Sequence, residues 1–207
     1  MKTVAIYLAA GSSRRMGMDK RSLCLNGVSL GSIALKNALL SKLDHILVIT
    51  RKGDSLHWLS AFFFLDPMSN KWSQVECEQA SKGQGHSIQC GLKRAIEYEA
   101  DAVIILLADQ PFVTTNIINT LIDSYQRELH YSFIAAKNRH LPMPPILFSN
   151  QCFPVLLQLK GDQGARYVIR ESIINKGKMI DFQDPLLFYD VDTVEDYTLL
   201  LNNSGSE

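Results

Sequence analysis

The chain lacks a surplus of either charge: 21 Lys and Arg residues stand against 21 Asp and Glu, so its formal net charge is zero. A neutral chain makes no broad positive field to gather nucleic acid or an anionic membrane surface, and phosphate recognition must come from local clusters. Long apolar runs are missing too. The first one, beginning at Val4, gives way to Gly11-Ser12-Ser13-Arg14-Arg15, which is too short for a secretory core or a membrane span. A cytoplasmic location with no membrane partner is expected. The cysteines, Cys24, Cys77, Cys90 and Cys152, include no Cys-x-x-Cys pair. Thiols in a reducing compartment are therefore expected, with neither a zinc site nor a disulfide framework. Neither of two familiar phosphate-binding spacings, Gly-x-x-x-x-Gly-Lys-Ser/Thr or Gly-x-Gly-x-x-Gly, is present. No internal repeat or low-complexity tract appears, and only 203–207 reads as a frayed tail.

What is there is a core-forming chain. With 207 residues, 46% of them hydrophobic, a single domain over residues 1–202 is the expectation. Short β-rich apolar runs (Val4 to Ala9, His45 to Thr50, Gln74 to Glu78, Ala102 to Ala108, Ser132 to Ala136, and shorter ones near Ile146 and Phe188) alternate with helix-like segments. The helices are predicted at Ser29 to Lys42, Asp54 to Phe64, Gln84 to Tyr98, Thr114 to Glu128, Asn150 to Leu159, Gln163 to Asn175 and Thr193 to Leu201. This alternation predicts an α/β fold of three layers, Rossmann-like, with a mostly parallel sheet and helices on both faces. Ile117, Ile118, Leu121 and Ile122 fall on one helical face, with Thr114 or Thr115 as its cap.

The first strand runs directly into Ala10-Gly11-Ser12-Ser13-Arg14-Arg15-Met16-Gly17-Met18-Asp19-Lys20. Ligands bind open α/β sheets at the carboxyl ends of the strands, where this segment lies. Gly11, Ser12 and Ser13 let backbone N–H groups approach phosphate oxygens, while Arg14, Arg15 and Lys20 supply charge. A triphosphate matches that combination; a solvated surface loop is the plain alternative.

Two acidic positions sit at the same edge. Strand Ala102 to Ala108 ends in Asp109-Gln110-Pro111, and Phe188 to Thr193 carries Asp190 and Asp192, which share one side if extended. Either of the pair can face Asp109. Magnesium takes one or two carboxylates and completes its octahedron with phosphates and water. The alternatives are a turn former at Asp109 and a helix cap at Asp192.

The Leu8-to-Lys20 segment resembles the molybdenum-cofactor nucleotidyltransferases, particularly their cytidylyltransferase branch, within the nucleotide-diphospho-sugar transferase fold. The shared signature is Leu-Ala-Ala-Gly-x-Ser-x-Arg-Met-Gly followed by Lys. Four further stretches extend the resemblance to Tyr197: Lys82 to Leu92, Leu106 to Pro111, Gly161 to Arg166, and Asp190 to Tyr197. It implies that Leu8, Ala9, Ala10 and Gly11, with Ser12 and Ser13, line the nucleotide, and that Gly83 and Ser87 touch base and ribose. It implies that Arg15 and Lys20 are catalytic, stabilising charge at the α-phosphate, and that Asp109 and Asp192 hold Mg2+. Asp162, Gly164 and Arg166 would shape the acceptor side. Two departures stand out: His86 replaces a small hydroxyl residue, and Pro142 to Phe148 departs from the usual Gly-x-Pro before Leu-Phe.

The implied reaction joins a nucleoside monophosphate from an NTP, with CTP favoured over GTP, to the phosphate of molybdopterin, releasing pyrophosphate. Such a product matures a molybdenum hydroxylase such as xanthine dehydrogenase, whose apoenzyme then becomes a partner. Two other readings stay open: a non-catalytic molybdenum-cofactor carrier, and a sugar-phosphate or isoprenoid-precursor nucleotidyltransferase.

Overall fold

The computed structural model describes residues 1–11, 16–138, 141–171, 173–174 and 176–204. Its elements follow in the order β1 (Thr3–Leu8), β2 (Cys24–Leu25), β3 (Val28–Ser29), α1 (Leu30–Leu39), β4 (His45–Arg51), β5 (Trp72–Cys77), α2 (Gln84–Glu97), β6 (Ala102–Leu107), α3 (Thr115–Arg127), β7 (Phe133–Asn138), β8 (Leu141–Ser149), α4 (Phe153–Leu156), α5 (Ala165–Arg170), β9 (Gly177–Asp181) and α6 (Val194–Ser204). Seven strands form one sheet in the order β5-β4-β1-β6-β8-β7-β9, while β2 and β3 pair separately. β1 runs parallel to both β4 and β6, whereas β8 is antiparallel to both of its neighbours. The sheet is mostly parallel, as the alternation of elements predicts.

Every residue of β1 is buried, because helices cover both faces. Val4, Ile6 and Leu8 join one core with Ile88 and Leu92 of α2, Leu156 of α4 and Val168 of α5. Ala5, Tyr7 and Ala9 face the opposite core, with Leu35 of α1 and Ile117, Ile118, Leu121 and Ile122 of α3. The period-2 alternation of the strand thus meets the 3.6-residue stripe of each helix. Thr114 caps α3, accepting from the Ile117 N–H. Gly91 lets α2 lie close on the sheet: a Cβ there would sit 2.5 Å from Cγ2 of Ile6.

Several predicted elements are corrected. Segment 54–64 is not an α-helix; it is a turn followed by a short 3-10 helix at Ala61–Phe64. The Asp54 carboxylate accepts from the Leu56 N–H at 2.9 Å and the Trp58 Nε1–H at 3.3 Å, a local capture of backbone that competes with helix formation. Trp58 and Phe63 of this segment are buried, whereas Phe62 and Phe64 are exposed. No strand forms at Phe188, which closes a 3-10 turn, Pro185–Phe188. The last strand is β9 instead, and the helix predicted from Gln163 is the six-residue α5, which closes at Arg170. The cysteine expectation also changes. Cys77 at the end of β5 and Cys90 on α2 form a disulfide with Cα atoms 5.9 Å apart, Cys152 is buried and Cys24 is exposed. Packing of α2 beside β5 brings together two thiols whose sequence spacing carries no signal. Among the described residues, no helix is long and apolar enough to cross a membrane.

Candidate active site

The chain order in the sheet reverses at β1, with β4 and β5 on one side and β6 on the other. A crevice forms at such a switch point, beyond the carboxyl ends of the strands. Here it is a cavity of about 380 Å³. Leu8, Ala9, Ala10 and Gly11 form one wall, Ala80 to Gln84 with Ser87 form a second, and Leu107 to Asp109 lie at the end of β6. Lys20, Arg21, Arg51 and Asp162 complete the lining. Gly164 and Arg166 line an adjoining cavity of about 550 Å³ that shares Gln84, Leu107 and Asp162 with the first. The structure therefore gathers the predicted residues Leu8, Ala9, Ala10, Gly11, Lys20, Gly83, Ser87, Asp109 and Asp162 around one cavity. Ser12, Ser13 and Arg15 lie outside the described residues. His86 faces neither cavity but a separate groove beside α4.

Two walls meet through backbone alone. Gly83 has φ +121, and a Cβ there would sit 2.2 Å from the carbonyl carbon of Gly161. The Gly85 N–H donates to the Gly161 carbonyl at 2.9 Å. Glycine at 83 is thus required twice, by the left-handed φ and by the close approach. Asp162 does not cap the following helix, whose N-cap is Gly164.

The acidic cluster is assembled from distant parts of the chain. Buried Val191 donates its N–H to the Asp109 carbonyl at 3.2 Å, docking the C-terminal segment on the end of β6. Lys20 then ion-pairs with the Asp109 carboxylate and lies 2.9 Å from Asp192 Oδ1. Burial of the Lys20 ammonium works against its charge, but Asp109 and then Asp192 outweigh it and raise its pKa. Asp190 turns elsewhere, accepting from Gln110 Nε2 at 2.8 Å. Its carboxyl is pushed up to about 6, first by burial and then by the charge of Asp109. Asp192 is not the helix cap. Thr193 has that place, with its Oγ1 accepting from the Asp196 N–H at 3.1 Å while Asp196 accepts from the Thr193 N–H at 2.8 Å.

These carboxylates suit a divalent cation. Two hard-oxygen groups, from Asp109 and Asp192, converge on one positive nitrogen, Lys20 Nζ. Also among the described residues, no group of three or more His, Cys, Asp or Glu forms a metal cage. An ion held here would take its remaining ligands from phosphate and water, as magnesium does.

The chain matches the family model of the MobA-like NTP transferase domain over residues 5–176. It belongs to that family. It is 40% identical over 199 residues to the purine catabolism protein PucB of Bacillus subtilis (strain 168), covering 95% of each chain. Among solved structures, Rv0371c from Mycobacterium tuberculosis H37Rv superposes with a TM-score of 0.80 at 23% identity, covering 98% of each chain. The 4-diphosphocytidyl-2C-methyl-D-erythritol synthase of Anaerococcus prevotii gives a TM-score of 0.72 at 16% identity, covering 98% of this chain and 95% of that one. The shared fold is that of the nucleotidyltransferases, and the family is one of nucleotidyltransferases, as the motif Leu8 to Lys20 implies.

Sequence reasoning missed Arg21, Arg51, Ser81, Lys82 and Gln84 as lining residues. Lys82 and Gln84 flank a glycine that the reading did single out, and Arg21 follows Lys20. Arg51 carries no local signal; only the end of β4 places it here.

Proposed function

We propose that the protein is a molybdenum-cofactor cytidylyltransferase that transfers CMP from CTP to the terminal phosphate of molybdopterin, in the cytoplasm, with Mg2+ as cofactor. The observation that carries this reading is the convergence of Asp109 and Asp192 on Lys20, with Lys20 and Asp109 lining the same cavity as Leu8 to Gly11. A phosphate oxygen of the acceptor attacks the α-phosphorus, the bond to the bridging oxygen of the β-phosphate breaks, and pyrophosphate leaves. The nucleophile is already anionic, so no general base is needed. His86, away from the cavity, accords with that. The chain's contribution is positioning and charge stabilisation.

In this reading Asp109 and Asp192 would hold the metal, which would supply charge neutralisation to the phosphates. Lys20 moves from the carboxylates to the α-phosphate as charge grows there, and Arg15 assists. Gly83 and Ser87 meet base and ribose, while Asp162, Gly164 and Arg166 face the acceptor. A solved structure of Rv0371c is a complex with manganese, which supports a divalent ion in this fold. The name of the Bacillus relative ties that protein to purine catabolism. A molybdenum hydroxylase such as xanthine dehydrogenase acts on purines, and its apoenzyme is the proposed recipient of the product.

The test incubates the purified protein with Mg2+, molybdopterin cofactor and each nucleoside triphosphate in turn, following pyrophosphate. Release with CTP above all others is expected. Stoichiometric cofactor binding without pyrophosphate would make the protein a carrier, and release only with a sugar phosphate or isoprenoid precursor would change the acceptor.

A further inference from the structure

Arg21 and Arg51 belong to no motif of the reading above, yet both line the cavity and both reach the backbone of the loop Leu8 to Gly11. Arg21 Nη1 donates to the Ala9 carbonyl at 2.7 Å, and Arg51 Nε donates to the Ala10 carbonyl at 3.0 Å. Consecutive carbonyls are thus held by two guanidinium groups.

Arg21 is itself immobilised. Its Nε and Nη2 form a fork on the Asp19 carboxylate at 2.9 and 2.7 Å, and Nη1 also reaches Asp54 at 2.5 Å. The side chains of Arg21 and Asp54 are only 14% and 6% exposed, and the guanidinium lies 5.0 Å from the Trp58 ring centroid. A planar fork with this many partners is a rigid anchor.

A peptide unit is planar and trans, so its C=O and N–H point in opposite directions. Fixing the Ala9 carbonyl fixes the Ala10 N–H on the other side; fixing the Ala10 carbonyl does the same for the Gly11 N–H. The Ala9 N–H is already committed to Ile49 of β4 at 2.9 Å. Neither the Ala10 nor the Gly11 N–H has an acceptor among the described residues, and both residues line the cavity. Gly11 lacks a Cβ to resist a flip of its peptide, so an external restraint is needed.

We propose that Arg21 and Arg51 are positioning residues that fix the orientation of the Ala9 and Ala10 carbonyls and so preset the Ala10 and Gly11 N–H groups as a donor pair for nucleotide oxygens. The proposal rests on the reading of the cavity as a nucleotide site and adds the device that organises it.

Arg51 provides a clean test because it is exposed and its bonding atom has an uncharged equivalent. In Arg51→Gln, Nε2 occupies the place of the arginine Nε, three bonds from Cβ, and still donates without charge. Arg51→Met keeps the bulk and loses the donor. CTP and GTP binding in the presence of Mg2+, without acceptor, is measured by calorimetry beside thermal melts. Arg51→Met is expected to bind the preferred nucleotide about tenfold more weakly, with Arg51→Gln restored to within about twofold of the wild type. Equal loss in both variants would overturn the proposal, because it would mean that the Arg51 charge meets the phosphates directly. Wild-type affinity in both would overturn it too. Arg21→Lys, which keeps the charge beside Asp19 and Asp54 but not the fork, is expected to weaken binding in the same way. A wild-type protein that binds neither nucleotide would instead refute the nucleotide site itself.

Discussion

Replacing Lys20 by Met should produce two opposite effects in one protein. The Lys20 ammonium lies against Asp109 and 2.9 Å from Asp192 Oδ1, where a divalent ion would draw on the same oxygens. In the nucleotide-free protein, lysine and metal therefore compete. At 2.9 Å a pair of unit charges interacts by about 1.4 kcal/mol in water and about 6 kcal/mol near a protein surface. The Asp192 side chain is 47% exposed, which screens its share, and the ammonium loses solvation at the site. A net effect of about 1–3 kcal/mol follows, or roughly a 5- to 150-fold change in affinity. Lys20→Met, matching the length and bulk of the stem, should then bind Mn2+ more tightly by roughly that factor without nucleotide, read from the decrease in the free-ion paramagnetic resonance signal. The same substitution should slow pyrophosphate release by about 10²-fold or more, because charge growing on the α-phosphate loses its counter-ion. Unchanged or weaker Mn2+ binding would refute the competition, and with it the pairing of Asp109 and Asp192 as a metal site.

Asp109→Asn, nearly constant in volume, is expected to lower turnover by on the order of 10²–10³-fold with a melting temperature close to the wild type; full activity would sink the metal assignment. Gly83→Ala meets both a φ of +121 and the Gly161 backbone at 2.2 Å, so a loss of about 1–3 kcal/mol in stability is expected, with weaker nucleotide binding, by denaturant titration and calorimetry. Cys90→Ser removes a cross-link between residues 13 apart in sequence, which should cost about 3 kcal/mol of stability in the oxidised protein and nothing once the wild type is reduced. Equal stability under oxidising conditions would argue against the Cys77–Cys90 bond.

Much of this was legible in the sequence because it is local. A run such as Val4 to Ala9 reads as a strand covered on both faces, and Ile117, Ile118, Leu121 and Ile122 mark one helical face with Thr114 ahead of it. The loop after β1 and Asp109 after β6 follow from strand ends, and strand ends in a parallel sheet share an edge. What failed depends on contacts across the fold. The helix expected at 54–64 is broken by Asp54, whose carboxylate is drawn into the Arg21 network and the local backbone at once. The strand expected at Phe188 loses its place at the sheet edge to β9, which pairs with β7. Sequence alone treats Asp190 and Asp192 alike because both lie on one side of an extended segment; in the fold Asp190 accepts from Gln110, whereas Asp192 lies beside Lys20. Arg51 and the Cys77–Cys90 pair became visible only through packing.

The contact of Gly83 with Gly161 has a wider consequence. It ties the wall of the first cavity to the turn of the second with no side chain between them. On the proposed reading, with the nucleotide in the first recess and the acceptor in the second, the spacing between them is a property of main chain rather than of the side chains lining either recess. On that reading, selection can recut the outer recess for a different acceptor while the backbone that spaces it from the nucleotide recess stays as it is.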